Sequence, residues 1–359
     1  MSSARSVSIR RGVFLLWAWG TSLSACSQGT PEADGSDAPL ATGGAPSGGQ
    51  PGELGGAGAE PGSTGGSVSS PSGGGPPEEV DGGDGERVEV DGGAFPMGRS
   101  ETGGDACPSD QACAPGEGPE HAVTVSPFWL DRFEVTVKRF RAFYERYPLP
   151  LPAEGSGAHP KIPGSGWQAD FAIDLPESQA TLLEQLACDD DAAFTASSDA
   201  HDALPINCVS WPLAFLFCTE VGGRLPTEAE WEFAAAGGDE NRSYPWGNET
   251  PDATHASFFP SELGATGQHP AGRGRYGHED LAGSVWEWTL DWLDTNWYAD
   301  GGATCTDCAR VSSGTHRALR GGAYGYDPIT LRAAARSGDL PASRQAYIGF
   351  RCAYDRAEP

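Results

Sequence analysis

Gly223-Arg224-Leu225-Pro226-Thr227-Glu228-Ala229-Glu230-Trp231-Glu232 is the run on which the reading of the chain turns. Thr227 with Glu230 three residues later forms a capping box, in which hydroxyl and carboxylate each take an N–H that a helix start leaves free. Gly237-Gly238 closes that helix, since glycine accepts the left-handed turn that ends it. Working outward, Ser210 is placed to cap a helix with Trp211, Ala214, Phe215 and Cys218 facing inward. Thr136 caps another, expected to reach Tyr147, with Val137, Phe140 and Tyr144 on one face. Arg87–Val90, His121–Val125 and Phe128–Asp131 read as strands, and so do Ala318–Arg320, Leu331–Arg336 and Ile348–Ala353. Turns fill the rest. The expectation is an α+β domain with few helices and much irregular structure.

Lys and Arg number 23 against 50 Asp and Glu, a net charge of −27, and such a surface repels a phosphate backbone. Nucleic acid is therefore excluded as the main partner. Lys138 and Lys161 are the only lysines, so the cations are nearly all arginine, which suits fixed pairs with carboxylates. Arg5, Arg10 and Arg11 precede the short apolar run Gly12–Leu23, a signal sequence rather than a permanent span. It ends in Leu23-Ser24-Ala25-Cys26, which resembles the lipobox of bacterial lipoproteins. The resemblance implies cleavage after residue 25, lipidation of Cys26, and a membrane anchor outside the cytoplasm. Ser27 in the following position implies the outer membrane of a diderm cell. Residues 27–87 hold 19 Gly, 8 Pro and 8 Ser and no aromatic residue, too little apolar surface to offset chain entropy. The expected organisation is a signal peptide at 1–25, an acidic tether at 26–87 and one folded domain at 88–359.

Within 88–359 further landmarks occur in a fixed order. They are Phe95-Pro96-Met97-Gly98, Phe128-Trp129-Leu130-Asp131 with Glu134-Val135-Thr136, Pro205–Trp211, and the capping-box run. Tyr244-Pro245-Trp246-Gly247-Asn248, Asp280–Thr289, Arg320-Gly321-Gly322 and Gly349-Phe350-Arg351-Cys352 complete the series. Together they resemble the formylglycine-generating enzyme family, also called the sulfatase-modifying factor domain. The resemblance implies a compact variant of the C-type-lectin-like fold. It also implies an oxidase that uses Cu(I), held by two cysteines just after Arg-Gly-Gly, to convert a sulfatase cysteine to formylglycine. Here Tyr326 stands where the first cysteine is expected, and residues 309–351 contain no cysteine at all. Nothing at that place offers the soft thiolates that Cu(I) needs.

The resemblance further implies calcium, bound by side-chain oxygens of Asp280 and Glu287 and the carbonyls of Gly283 and Val285. Hard oxygen donors from an irregular loop suit that ion. Glu287 paired with a buried arginine, Arg320 or Arg351, and Asp280 capping a turn are the competing reading. Eight cysteines besides Cys26 form an even set in an oxidising compartment. The expected pairs are Cys107–Cys113, Cys188–Cys208, Cys218–Cys352 and Cys305–Cys308, the third of them also implied by the family. The seven histidines lack metal-ligand spacing and read as surface or loop residues. Of Trp286, Trp288 and Trp292, at least two belong to the core. The expected pocket lies beside residues 320–331, lined by Arg320, Tyr324, Tyr326 and Asp327. Two functions compete: a lipid-anchored, non-catalytic binder of a peptide, glycan or partner protein, or an oxidoreductase of the family with a rearranged site.

Overall fold

The computed structural model describes residues 85–102, 106–107 and 113–356. The signal sequence, Cys26 and nearly all of the Gly/Pro/Ser-rich segment lie outside the described residues. Among the described residues no helix is long and apolar enough to cross a membrane.

In chain order the first half holds β1 (Arg87–Val90), β2 (Gly93–Met97), β3 (His121–Val125), β4 (Phe128–Asp131), α1 (Val137–Tyr144), α2 (Gln179–Leu186), α3 (Trp211–Glu220) and α4 (Glu228–Ala236). The second half holds β5 (Trp286–Trp292), β6 (Thr304–Thr306), β7 (Arg317–Arg320), β8 (Arg336–Asp339), β9 (Ile348–Gly349) and β10 (Ala353–Asp355). Three small sheets result, with strand orders β1-β4-β10, β2-β3-β6 and β8-β7-β5-β9. In the first, β1 and β10 both run antiparallel to β4, one on each side. In the third, Glu287 of β5 stands opposite Arg320 of β7.

Two apolar clusters fill the space between these sheets. The larger joins α1, α2 and α3 to Trp288, Ile348 and Phe350. α3 is buried from Trp211 through Cys218, on every face, as a central helix must be. The smaller cluster sets Trp231 and Phe233 of α4 against β2, β3 and β4. The capping box forms as expected: Glu230 N–H donates to Thr227 Oγ1 at 3.0 Å and Thr227 N–H to Glu230 Oε2 at 2.9 Å. Gly237 closes α4 at φ 69°, in the left-handed region.

Several expectations need correction. α1 ends at Tyr144, one turn early, before the turn leading into Pro148. Ser210 occupies the cap position of α3, but its hydroxyl accepts nothing there, and Pro212 supplies the fixed φ that starts the helix. Leu331–Arg336 is not a strand. Asp327 caps a 3-10 turn over Pro328–Leu331, and pairing begins only at Arg336. Ile348–Ala353 is broken at residues 350–352, which carry the chain from the third sheet to the first. α2, capped by Ser178, was not foreseen. His278 and His159 are loop residues as expected, though buried, and burial pushes His278 down to about 3.

All four expected disulfides are present: Cys107–Cys113, Cys188–Cys208, Cys218–Cys352 and Cys305–Cys308. Trp286 and Trp288 are buried and Trp292 half-buried.

Candidate functional site

Beneath the site lies a frame of buried ion pairs. Each glutamate of α4 meets an arginine: Glu228 takes Arg336 at 2.9 and 2.5 Å, Glu230 takes Arg224 at 2.7 and 2.6 Å, and Glu232 takes Arg320. Glu117 holds Arg332 through both oxygens at 2.7 Å. Buried charges survive only when paired and hydrogen-bonded, and these arginines are. Arg320 is therefore not a groove residue. It is fully buried, pointing into α4, and a ligand outside cannot reach it.

A cavity of about 280 Å³ opens beside the turn at 328–331, lined by Trp286, Tyr326, Ile329, Thr330, Arg332 and Ala335, with Cys113 and Ala114 on one wall. Tyr326 stands edge-on to Trp286, ring centres 5.9 Å apart at 87°, and to Tyr347, 5.2 Å apart at 61°. Its carbonyl accepts the backbone N–H of Phe259 at 2.9 Å. Tyr324 is half-buried, its hydroxyl donating to the Ala346 carbonyl at 3.4 Å. Asp327 is exposed, and its carboxylate takes the Ile329 N–H at 3.0 Å. Of the four residues expected here, Tyr326 lines the cavity, Tyr324 follows the same turn, and Asp327 holds that turn in place. Trp286 was missed as a groove wall, because nothing local says that β5 meets the turn at 328–331.

The loop before β5 is the expected cation site. Asp280, Gly283 and Ser284 all have left-handed backbones, φ 57°, 78° and 58°. A Cβ on Gly283 would lie 2.2 Å from the Ser257 carbonyl, so only glycine fits. Glu287 has both oxygens engaged, Oε2 by Arg351 Nε at 2.7 Å and by Trp231 Nε1 at 2.9 Å, Oε1 by Arg351 Nη2 at 2.8 Å. Asp280 Oδ2 accepts the Gly267 N–H at 2.6 Å. Both halves of the competing reading thus have a structural counterpart.

Glu134 was quoted only as part of a motif, yet it carries the local anomaly. It is 2% exposed and neither carboxylate oxygen meets a donor at hydrogen-bond geometry, Ser284 being near enough only to ease its ionisation. Burial, and then the charge of Asp280, push its carboxyl well up. Burial also raises Asp280. Asp280 and Glu287 both act on Glu134 with Arg351 opposing them, and a divalent ion would relieve the repulsion that holds Glu134 up. Among the described residues no three carboxylate, imidazole or thiol groups converge as a ligand cluster. An ion here would draw on backbone carbonyls as well, as calcium does. On the orphaned oxygens of Glu134, the residues present fit calcium. They do not fit Cu(I): all eight cysteines of the folded part are in disulfides.

A lectin-like α+β frame with few helices, arginine–glutamate pairs beneath it and a groove beside the Arg-Gly-Gly turn defines a formylglycine-generating-enzyme-like protein. The chain belongs to the sulfatase-modifying factor enzyme 1-like domain family, whose model matches residues 76–356. It is 35% identical over 288 residues to the formylglycine-generating enzyme of Thermomonospora curvata, covering 73% of this chain and 92% of that one. It is equally similar, 35% over 273 residues, to the inactive C-alpha-formylglycine-generating enzyme 2 of Bos taurus, covering 68% of this chain and 82% of the relative. Among solved structures, PvdO from Pseudomonas aeruginosa superposes with a TM-score of 0.53 at 24% identity, over 75% of this chain and 94% of that one. That likeness speaks for the fold alone.

Proposed function

We propose that this chain is a lipid-anchored, extracytoplasmic member of the family that binds a peptide, glycan or partner protein in the groove and does not oxidise cysteine. One observation carries the reading. The cavity beside the turn at 328–331 is walled by Tyr326 and Trp286, and every cysteine of the folded part is already in a disulfide. No thiol is left to hold Cu(I) or to engage a substrate thiol. Similarity to an inactive relative agrees with this, and similarity to active ones does not weigh against it, since function resides in sites rather than folds.

Calcium, when bound near Glu134 and Asp280, supplies only positive charge and oxygen coordination. Glu287 and Arg351 tie β5 to the segment before β10 and so set the position of Trp286. The anchor through Cys26 would hold the domain at the outer membrane.

The deciding experiment incubates the purified protein with copper, oxygen and a cysteine-containing sulfatase peptide. No aldehyde is expected. Aldehyde formation would establish the alternative, an oxidoreductase with a rearranged site.

A further inference from the structure

The cavity lies at the free edge of a sheet, and the two features together describe one kind of ligand. Arg336 and Ser337 line the cavity and belong to β8, the outermost strand of the β8-β7-β5-β9 sheet. β8 pairs with β7 in unbroken register, from Arg317 opposite Asp339 to Arg320 opposite Arg336. Among the described residues no strand pairs with its other side. On that side alternate residues present N–H and C=O groups without a ladder partner. Proteins commonly guard such an edge with lysine, proline or a bulge. β8 has none of these, and Ser337, Gly338 and Asp339 are all partly exposed. The Asp339 carboxylate is turned back on its own chain, accepting from the Leu340 N–H and from Ser343 Oγ, both at 2.7 Å.

The cavity sets the chemistry of what enters. Three charged residues line it, and each is matched from within the fold. Glu117 takes Arg332 through both oxygens and Arg99 at 3.1 Å, and Arg336 takes Glu228. All three are more than nine-tenths buried. An incoming charge would leave water and meet no free counter-charge, a penalty that an uncharged group avoids. The remaining walls include Trp286, Tyr326, Ile329 and Ala335, and the Thr330 hydroxyl is committed to the Asp327 carbonyl at 2.8 Å. Burial holds the Tyr326 phenol up, so that it too stays neutral. An apolar cavity of about 150 Å³ is enough for benzene. This one, at about 280 Å³, has room for a phenylalanine or leucine side chain.

We propose that an extended segment of a partner protein adds to the free edge of β8 as a further strand and places an uncharged, apolar side chain in the cavity. Main-chain pairing then supplies general affinity and the cavity supplies selectivity, as in other strand additions. This rests on the reading of the groove as a binding site and selects a peptide over a glycan as its ligand.

Titration calorimetry with the full chain tests it, using capped seven-residue threonine peptides whose central residue is phenylalanine, leucine, lysine or glutamate. The phenylalanine and leucine peptides should bind at least tenfold more tightly than the lysine and glutamate ones. Ile329→Asp, which sets an unpaired carboxylate in the wall, should weaken the phenylalanine peptide at least tenfold. N-methylation of that peptide separates edge pairing from simple insertion, because only alternate N–H groups of a strand face one neighbour. Methyl groups on one alternate set should abolish binding, and on the other set should leave it. Equal binding of charged and apolar peptides, or of the two methylated sets, would overturn the proposal. Phenylalanine binding untouched by Ile329→Asp would do the same. If no peptide binds, the proposal falls. Glycan-array signals lost in Ile329→Asp would then show that the groove reading stands without it, and their absence would remove both.

Discussion

Arg351 shows how much can depend on one side chain here. It reaches both oxygens of Glu287 and also donates to the carbonyls of Asp131, Arg132, Glu279 and Asp280, so it joins β4, the loop before β5 and β5 itself. Replacing it with leucine leaves Glu287 charged, buried and paired only with an indole N–H. Losing one partner of such a pair typically costs about 3–5 kcal/mol. Urea unfolding of Arg351→Leu should show a loss of that size, and a loss under 1 kcal/mol would mean that the pair is replaceable. Asp291 supplies a pH dependence. Burial, and then the charge of Glu228, push its carboxyl up to about 7, against the pull of backbone N–H groups of Glu228 and Arg310 at 2.8 and 2.7 Å. An unfolded aspartate titrates near 4, so between about 4 and 7 the native state holds a proton that the unfolded chain has released. Stability from this group is thus complete below pH 4 and is lost as pH rises through 7, by about 4 kcal/mol. Unfolding free energies measured from pH 5 to 8 should fall, and Asp291→Asn should flatten the slope; a slope unchanged in the variant would assign it elsewhere. At the cation loop, saturating calcium should raise the melting temperature, by an amount equivalent to about 2.7 kcal/mol at a hundred times Kd. Glu134→Gln should abolish most of that rise. A melting temperature indifferent to calcium and to chelator would mean that Glu134 is simply held protonated.

Among the elements, α3 and the end of the chain depend on Cys218–Cys352, which closes 134 residues. The chain-entropy model gives such a loop about 4–5 kcal/mol, whereas Cys305–Cys308, three residues apart, comes to about 2 kcal/mol. Cys352→Ser should therefore lower the melting temperature sharply and expose β10 to protease, while Cys305→Ser lowers it far less. Free thiol at Cys218 or Cys352 in the non-reduced protein would undo this. The elements that the sequence made legible carry local signals: the caps at Thr136 and Thr227, and the alternation in β1 and β3. β5 did not announce itself. Trp286 to Asp291 are buried without a break, so neither face alternates, and a strand covered on both sides gives no period to read. Residues 331–336 erred the other way. The apolar run there suggests a strand, but Pro328 and the Asp327 cap turn the backbone into a 3-10 helix, and the alanines pack instead of pairing.

At the scale of the molecule, the groove draws on residues from 113 to 337, and no spacing within any one stretch encodes it. The ion pairs beneath it are as remote, Glu117 meeting Arg332 across 215 positions. What the sequence could show was composition, namely an excess of arginine over lysine that anticipates fixed pairing. Which carboxylate each arginine takes is a property of the assembled sheets. Arg320 is the case in point: adjacency to Gly321-Gly322 suggested the groove, and β7 turned it inward to Glu232.

The β1-β4-β10 sheet makes the folded part a portable cassette. Its first and last strands flank one shared neighbour, and the Arg87 guanidinium carbon lies 3.5 Å from the ring centre of Tyr354. The two strands lie two strand spacings apart and run parallel, so the start of β1 and the end of β10 sit at opposite ends of β4, about 14 Å apart, a gap within the reach of a six-residue linker. The domain can therefore be spliced into a host loop or circularly permuted without stretching either end. Joining residue 356 to 87 and reopening the chain at exposed Gly164, where an added Cβ would meet nothing within 4 Å, should yield a folded permutant. Its melting temperature is expected within a few degrees of the parent, because every disulfide and all three sheets are kept.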